Sequence, residues 1–347
     1  MLMATLRSDL IIPEVFTPYL IEATTQTDSF LQSGVVQPLA ELNLSAERGG
    51  DFVKIPFYKA NLTGDFEVLT DSTSLTPAKI TADNQIAAVL HRGRAFSSRD
   101  LAALAVGGGV DPMAAIAQKM AAYVNNQKQK DLYSCLTGAF GSINANSSSS
   151  ALFDLTIDSE SGDTPTVLSP RHVAKAQALL GDQGGKLTAI AMHSKVFYDL
   201  VERNAIDRIY DNTGAPDSDA TGGSTTRAFD GPNTVNTFMG LRVIVSDDIP
   251  TTGSGASTEY STFFFTQGAV VTGEQAPIRT QTDRDILALE EAMAVDLHYI
   301  YHPVGLKYAV STVNPNRTVL ETVGSWSKVY ETKNIGIVRA TNVSNQD

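Results

Sequence analysis

Apolar and polar residues alternate most regularly in two runs separated by a polar stretch. Val53, Ile55 and Phe57 alternate with Lys54, Pro56 and Tyr58, the period-two pattern of a strand with two unlike faces. On the return, Ile86, Ala88, Leu90 and Arg92 alternate with Ala87, Val89, His91 and Gly93. The pattern predicts a hairpin over 49–99, one strand near 52–58 and a second running through 85–96, with arms of roughly 25–35 Å. Pro56 suits an edge position, where no ladder donor is lost. The stretch between the arms is rich in Thr, Asp, Ser, Gly and Pro, and its apolar residues (Leu62, Phe66, Val68, Leu69, Leu75) are scattered. Such a tip cannot build a core of its own, so another chain is expected to cover it.

The pattern changes to helical period after the hairpin. Asp111 and Pro112 make a good helix start, and Met113, Ile116, Ala117, Met120, Val124 and Cys135 fall near one stripe. A polar patch, 125–130, follows, and the helix is predicted to end before Gly138, a strut of about 25 residues or nearly 40 Å. Before the hairpin, residues 1–46 read as an arm of short apolar pieces lying along another surface, its own or a neighbour's. After the strut, helices at 169–180 (Ser169 as cap) and 195–204 flank a strand at 187–192. A polar Gly-rich loop at 211–223 precedes a strand at 241–246 that is apolar on both faces and therefore central. Segments 263–265 and 269–271 read as a strand pair, 290–309 as long strands and 326–341 as a terminal strand region. No internal repeat or heptad run is present. The expected organisation is an arm (1–46), a hairpin (47–99), a body from 100–138 and 281–312, a mixed α/β module (139–280) inserted into it, and a C-terminal strand region (313–347).

Composition narrows the function. In 347 residues there are 38 acidic and 26 basic side chains, a formal net charge of −12. That opposes a nucleic-acid reader, which needs clustered Lys and Arg, while an acidic wall suits a container that should not grip DNA. Charged residues are only 18%, as expected of a subunit that buries neutral surface against copies of itself. The single Cys135 precludes an intrachain disulfide and a zinc ribbon, and reads as a core residue. No signal-peptide pattern opens the chain, and no apolar run reaches the roughly 20 residues of a membrane span. No membrane partner is expected.

Catalytic motifs are weak. GDQGGK at 181–186 has Leu180 where a phosphate loop needs its first Gly and Leu187 where it needs Ser or Thr, so a helix-ending turn is favoured. Ser325 and Lys328 match S-x-x-K without the companion Lys-Thr-Gly. His298 and His302 have metal-like spacing, but β-rich surroundings and Pro303 oppose the helix that would unite them. Asp211, Asp217 and Asp219 lack the order of a calcium loop, and adjacent Asp247 and Asp248 read as a turn. No catalytic, cofactor or metal residue is expected.

The ordered combination of LIIPEVF at 10–16, LTGD at 62–65, LTPAKIT at 75–81, RGRA at 92–95, DPMA at 111–114, GLRVIVSDDIP at 240–250 and HPVG at 302–305 resembles the major capsid proteins of tailed bacteriophages. That resemblance implies the Hong Kong 97-type α+β fold, with an N-terminal arm, an extended hairpin called the E-loop, a peripheral domain carrying a spine helix, and an axial domain whose tip is 211–223. It implies hexamers and pentamers building an icosahedral head around double-stranded DNA, a virion location, assembly in the host cytoplasm, and partnership with a portal and possible decoration proteins. The prototype of the fold carries a long helical N-terminal segment; here the arm begins close to Met1, so the expectation is a separate scaffolding protein or none. Lys54, Phe57, Lys59, Phe66, Glu67, Arg92, Arg94, Asp217 and Asp219 are the expected subunit-interface residues. The prototype also crosslinks Lys to Asn, but hairpin lysines such as Lys54, Lys59 and Lys79 are more often solvated or ion-paired. Two alternatives stay open at this point: an encapsulin-type compartment shell, and a soluble hydrolase with an inserted hairpin.

Overall fold

Two principal sheets and one long helix between them organise the chain. The computed structural model describes residues 34–44, 50–59, 66–67, 79–99, 112–146, 154–156, 158–159, 162–203, 205–210, 234–254, 258–287 and 289–344. In chain order these form β1 (Val36–Pro38), α1 (Ala40–Leu44), β2 (Phe52–Tyr58), β3 (Ala82–Ala88), β4 (Leu90–Arg99), α2 (Pro112–Asn146), β5 (Asp154–Thr156), β6 (Asp158–Ser159), β7 (Gly162–Pro165) and α3 (Pro170–Leu180). There follow β8 (Leu187–Met192), α4 (Ser194–Glu202), β9 (Asp207–Tyr210), β10 (Thr234–Phe238), β11 (Leu241–Val245), β12 (Thr251–Thr252), β13 (Glu259–Thr266) and β14 (Val270–Asp285). The chain closes with β15 (Glu290–Pro303), β16 (Leu306–Tyr308), α5 (Arg317–Glu321), β17 (Trp326–Lys328) and β18 (Ile337–Asn342). No described helix is long and apolar enough to cross a membrane.

The first sheet has the order β1-β14-β15-β4, and the second runs β5-β18-β13-β8-β11-β10-β9 with β12 beside β13. In the second sheet the period-two rule decides which core each residue joins. Phe263, Phe265, Ala189 and Ala191 point to α2, while Phe264, Ile190 and Met192 point to α3 and α4. A strand apolar on both faces is thus a strand between two helical layers. In the first sheet Met293, Val295, Leu297, Tyr299 and Tyr301 of β15 join the core that includes Leu132, Leu136 and Phe140 of α2.

Several sequence expectations need correction. The return run of the hairpin is two strands, not one: β3 pairs with β2, from Phe52↔Ala88 to Tyr58↔Ala82, whereas β4 pairs with β15. The division falls at Val89, whose backbone N–H donates to Asp51 O; alternation alone does not reveal that the pairing partner changes. The segment 263–265 lies in the second sheet and Val270 and Val271 in the first, so they are not a pair. The C-terminal β18 fills a place beside β13 in the second sheet. The described end of the arm lies on its own chain, with β1 parallel to β14 and Val35, Val36 and Leu42 buried.

The long helix is also longer than predicted, 35 residues running through Gly138 and Gly141, or about 52 Å. Tertiary packing overrides the low helix propensity of glycine here. A Cβ on Gly138 would overlap the Leu320 carbonyl, so the missing side chain lets α5 lie directly on α2. The polar patch at 125–130 is not a solvated face. Asn126 and Lys130 reach Asp248, Gln129 donates to Ser246 Oγ, and Lys128 pairs with Glu274 at 3.3 Å. These bonds fasten α2 to the Asp247–Asp248 turn of one sheet and to β14 of the other.

Next to this patch lies Asp131, fully buried in α2. Its Oδ2 accepts from Arg92 Nε of β4 at 3.1 Å and from Tyr299 O–H of β15 at 2.5 Å, and its Oδ1 accepts from Arg317 Nε of α5. Arg317 also donates to the Gln127 carbonyl at 3.0 Å, and Arg92 to Asn314 Oδ1 at 2.7 Å and Pro315 O at 2.6 Å. Burial, reinforced by the Asp131 charge, pushes the Tyr299 hydroxyl well up, so it stays a donor. One carboxylate therefore ties together four separate parts of the chain.

Gly138→Ala should destabilise the subunit by about 1–3 kcal/mol through overpacking. Gly141→Ala, where nothing lies within 4 Å of the added Cβ, should be neutral or stabilise by about 0.5–1 kcal/mol. Chemical denaturation of the two variants checks the contrast. Asp131→Ala leaves two guanidinium groups without their buried partner and should cost about 3–5 kcal/mol by the same measurement.

Candidate functional site

Among the described residues, the hairpin β2–β3 is anchored to the body from its base out to Phe57. Val53 of β2, Ala87 of β3 and Val89 after it pack with Leu42 and Ile300 in a small core of their own, and the Phe52 ring stacks on Tyr308 at 6.0 Å between centroids. Gln85, buried in β3, holds the next level. Its Nε2 donates to the Tyr330 hydroxyl at 2.9 Å, while its Oε1 accepts from Gly305 N–H at 2.9 Å and from His302 Nε2 at 3.1 Å. That arrangement requires the neutral His302 tautomer with its proton on Nε2. Phe57 meets the edge of Tyr330 at 4.7 Å, and there the packing on the body ends. Tyr58 is 80% exposed, Ile80 56%, and Phe66 fully exposed.

The expected interface residues fall into three groups. Lys54 is exposed on β2, and Lys59, at the outer end, pairs with Asp83 at 2.8 Å. That pair, together with the Asn84 backbone, lowers the Asp83 carboxyl below its usual range. Phe66 and Glu67 are both exposed. Phe57 and Arg92 are held within their own chain, by Tyr330 and by the Asp131 network. Arg94 is exposed on edge strand β4, its guanidinium over the Phe96 ring. Asp217 and Asp219, like the whole loop 211–223, lie outside the described residues. Of the asparagines in the C-terminal third, Asn314 accepts from His91 N–H and Arg92, and Asn316 caps α5.

A groove of about 480 Å³ opens between α2, β4, β15 and α5, lined by Arg94, Tyr123, Leu297 and the Asp131 cluster. It brings no nucleophile and base together: its carboxylate is neutralised by two guanidinium groups, and its Tyr299 hydroxyl is held protonated. Cys135 is buried, with its thiol pushed up by burial and by Asp131, and Ser325 donates to the Val319 carbonyl rather than facing a lysine. Gln85, Tyr330 and Asp131 went unnoticed in the sequence reading, and His302 was weighed there only as a metal ligand paired with His298. The one available signal was an acid inside an otherwise cationic and amide-rich helical patch.

Burial lowers His302 to about 4, against about 6.5 when unfolded. The unfolded chain then binds more protons between those values, so this group's stability is present above pH 6.5 and lost as pH falls toward 4. Going from pH 7 to 5 should remove about 2 kcal/mol through His302 alone. His302→Gln should flatten that part of the stability profile, as read by urea unfolding at the two pH values.

Comparison with known proteins agrees with this geometry. Residues 42–336 match the model of the Gp13-like family, described as major capsid protein 13-like. The major capsid protein of Bacillus phage SPP1 is 33% identical over 339 residues, 96% of each chain. Among solved structures, the capsid asymmetric unit of cyanophage Pam1 superposes with a TM-score of 0.54 at 16% identity, covering 90% of this chain and 89% of the other. The capsid of Ralstonia phage GP4 gives 0.54 at 9% identity over 89% and 87%, and the capsid of an empty GTA particle 0.53 at 13% over 92% and 90%. A strut helix between two sheets, a hairpin whose described outer residues Tyr58 and Phe66 are exposed, and a match along most of the sequence lead to one assignment: the chain belongs to the Gp13-like family of major capsid proteins and has the α+β, Hong Kong 97-type fold of tailed-phage capsid subunits.

Proposed function

We propose that this subunit assembles as hexamers and pentamers into the icosahedral head that encloses phage double-stranded DNA, and that the outer hairpin clasps the adjacent subunit. The observation that carries the second part is that, among the described residues, own-chain packing on the body ends at Phe57 and Gln85. Beyond it Tyr58, Phe66 and Ile80 present apolar surface to solvent, a state that contact with a neighbour relieves at roughly 25 cal/mol per Å² of apolar area buried. Head-to-tail contact between unlike surfaces, hairpin on body, closes into rings. Lys54, Lys59, Phe66, Glu67 and Arg94 are the contact residues of this reading, and Asp217 and Asp219 belong to the loop proposed to meet its copies at the capsomer centre.

In this assignment α2 is the spine helix. With β14, β15 and β4 it makes the peripheral domain, and the sheet around β8 and β13 is the axial domain. The chain acts without catalysis, in the virion, after assembly in the host cytoplasm with a portal and a separate scaffolding protein, and with decoration proteins where the head carries them. DNA is enclosed, not read, which suits the net charge of −12.

Replacing residues 59–79 by a short turn tests the clasp. The variant should keep its circular dichroism and cooperative melting, because Gln85 and the small core beneath it remain, yet electron microscopy should find no closed shells. Normal capsids from that variant would refute the assignment.

A further inference from the structure

On the face of β15 turned away from α2, a set of side chains has no part in packing or in the clasp. His91 of β4 stands directly opposite His298 of β15, and Asp296 lies two residues along the same strand, hence on the same face. The two imidazole rings stack with centroids 3.8 Å apart. Both direct Nε2 at one oxygen: His91 Nε2 lies 2.5 Å and His298 Nε2 3.7 Å from Asp296 Oδ1. The other carboxylate oxygen, Oδ2, accepts from Arg279 Nη2 at 2.6 Å. The three ligand atoms lie within 4.8 Å of one another.

We propose that His91, His298 and Asp296 bind one zinc ion, which clips edge strand β4 to β15. Two imidazoles and one carboxylate suit a borderline metal, whereas calcium and magnesium prefer oxygen ligands. Zinc held at about 2.0–2.2 Å places tetrahedral ligand atoms roughly 3.3–3.5 Å apart. The His298 to Asp296 separation is already close to that value. His91 and Asp296 are nearer because a proton lies between them; when the ion takes the Nε2 lone pair, the ring proton passes through solvent to Nδ1, and the imidazole stays neutral. The His91 side chain is about half exposed, at 51%, so the fourth position opens to solvent and takes a water molecule. Arg279 fixes the carboxylate from outside, the kind of second contact that orients a metal ligand.

Two strands supply the ligands, so the cluster is invisible in sequence spacing: His298 and His302, four apart, are not partners, and His302 is buried at the hairpin base. Of the five histidines, His172 and His302 are buried, and His193 caps α4 by accepting from Lys195 N–H. None of these lies in the cluster.

The purified full-length chain, stripped with EDTA and dialysed, is titrated with zinc by calorimetry and with cobalt by visible absorption. One ion per chain with a Kd below about 10 µM, a tetrahedral cobalt spectrum and a zinc-dependent rise in melting temperature are expected. His298→Ala and Asp296→Asn should each weaken binding at least about tenfold, while His193→Ala should leave it unchanged. His91→Ala, at an exposed position, gives the same reading if the β15 variants fold poorly. A wild-type chain that binds no zinc below about 100 µM, an octahedral cobalt spectrum, or unaltered affinity in His91→Ala would overturn the site.

Discussion

The buried carboxylate of Asp131 is the contact on which the rest of the subunit depends. A charge placed in the core is costly unless fully paired. Here it is paired by groups from three different parts of the chain, Arg92, Tyr299 and Arg317, which converge on the fourth, α2. The arrangement specifies where β4, β15 and α5 stand relative to the helix, because any other register leaves the acid or two guanidinium groups without a partner. Nonspecific apolar packing of Leu132, Leu136 and Phe140 would hold the same elements together without fixing their alignment.

That alignment matters because the hairpin is carried on it. β3 runs on through Val89 into β4, and β4 is bound to α2 by Arg92, so the direction of the hairpin follows the Asp131 cluster. Gln85 then fixes the base of the hairpin to Gly305, His302 and Tyr330. The described chain divides into a body specified by these contacts and an outer hairpin end at which Tyr58, Phe66 and Ile80 are exposed. On the proposed reading a shell subunit needs that division: a body that does not deform and a hairpin end that meets a neighbour. The proposed zinc site would add a third tie at the same edge strand.

Much of this was legible in the residues. The strand at 187–192 emerges with the predicted limits, since a short apolar run bounded by a Gly-rich turn and His193 leaves little freedom. Ser169 caps α3 as read, and Gly181 ends it with φ near 60°. The outgoing strand of the hairpin, read at 52–58, is β2 with those limits, because alternation there gives way to polar turn residues. What the residues hid was non-local. Nothing local says that 82–88 pairs backward while 90–99 pairs with a strand two hundred residues later, or that 337–342 completes a distant sheet. The strut continues past Gly138 because α5 needs the space a side chain would fill. The amides and lysines at 125–130 read only as a polar patch, because their partners, Asp248, Ser246 and Glu274, lie more than a hundred residues away.

Backbone amide hydrogen exchange across the hairpin, compared between the unassembled subunit and closed shells, tests the central claim most directly. If neighbouring copies cover the outer ribbon, peptides spanning 58–67 and 79–82 should exchange fast in the free chain and become strongly protected on assembly, while β8 and β13 stay protected in both. Equal exchange of the outer hairpin in free subunits and in shells would contradict the account.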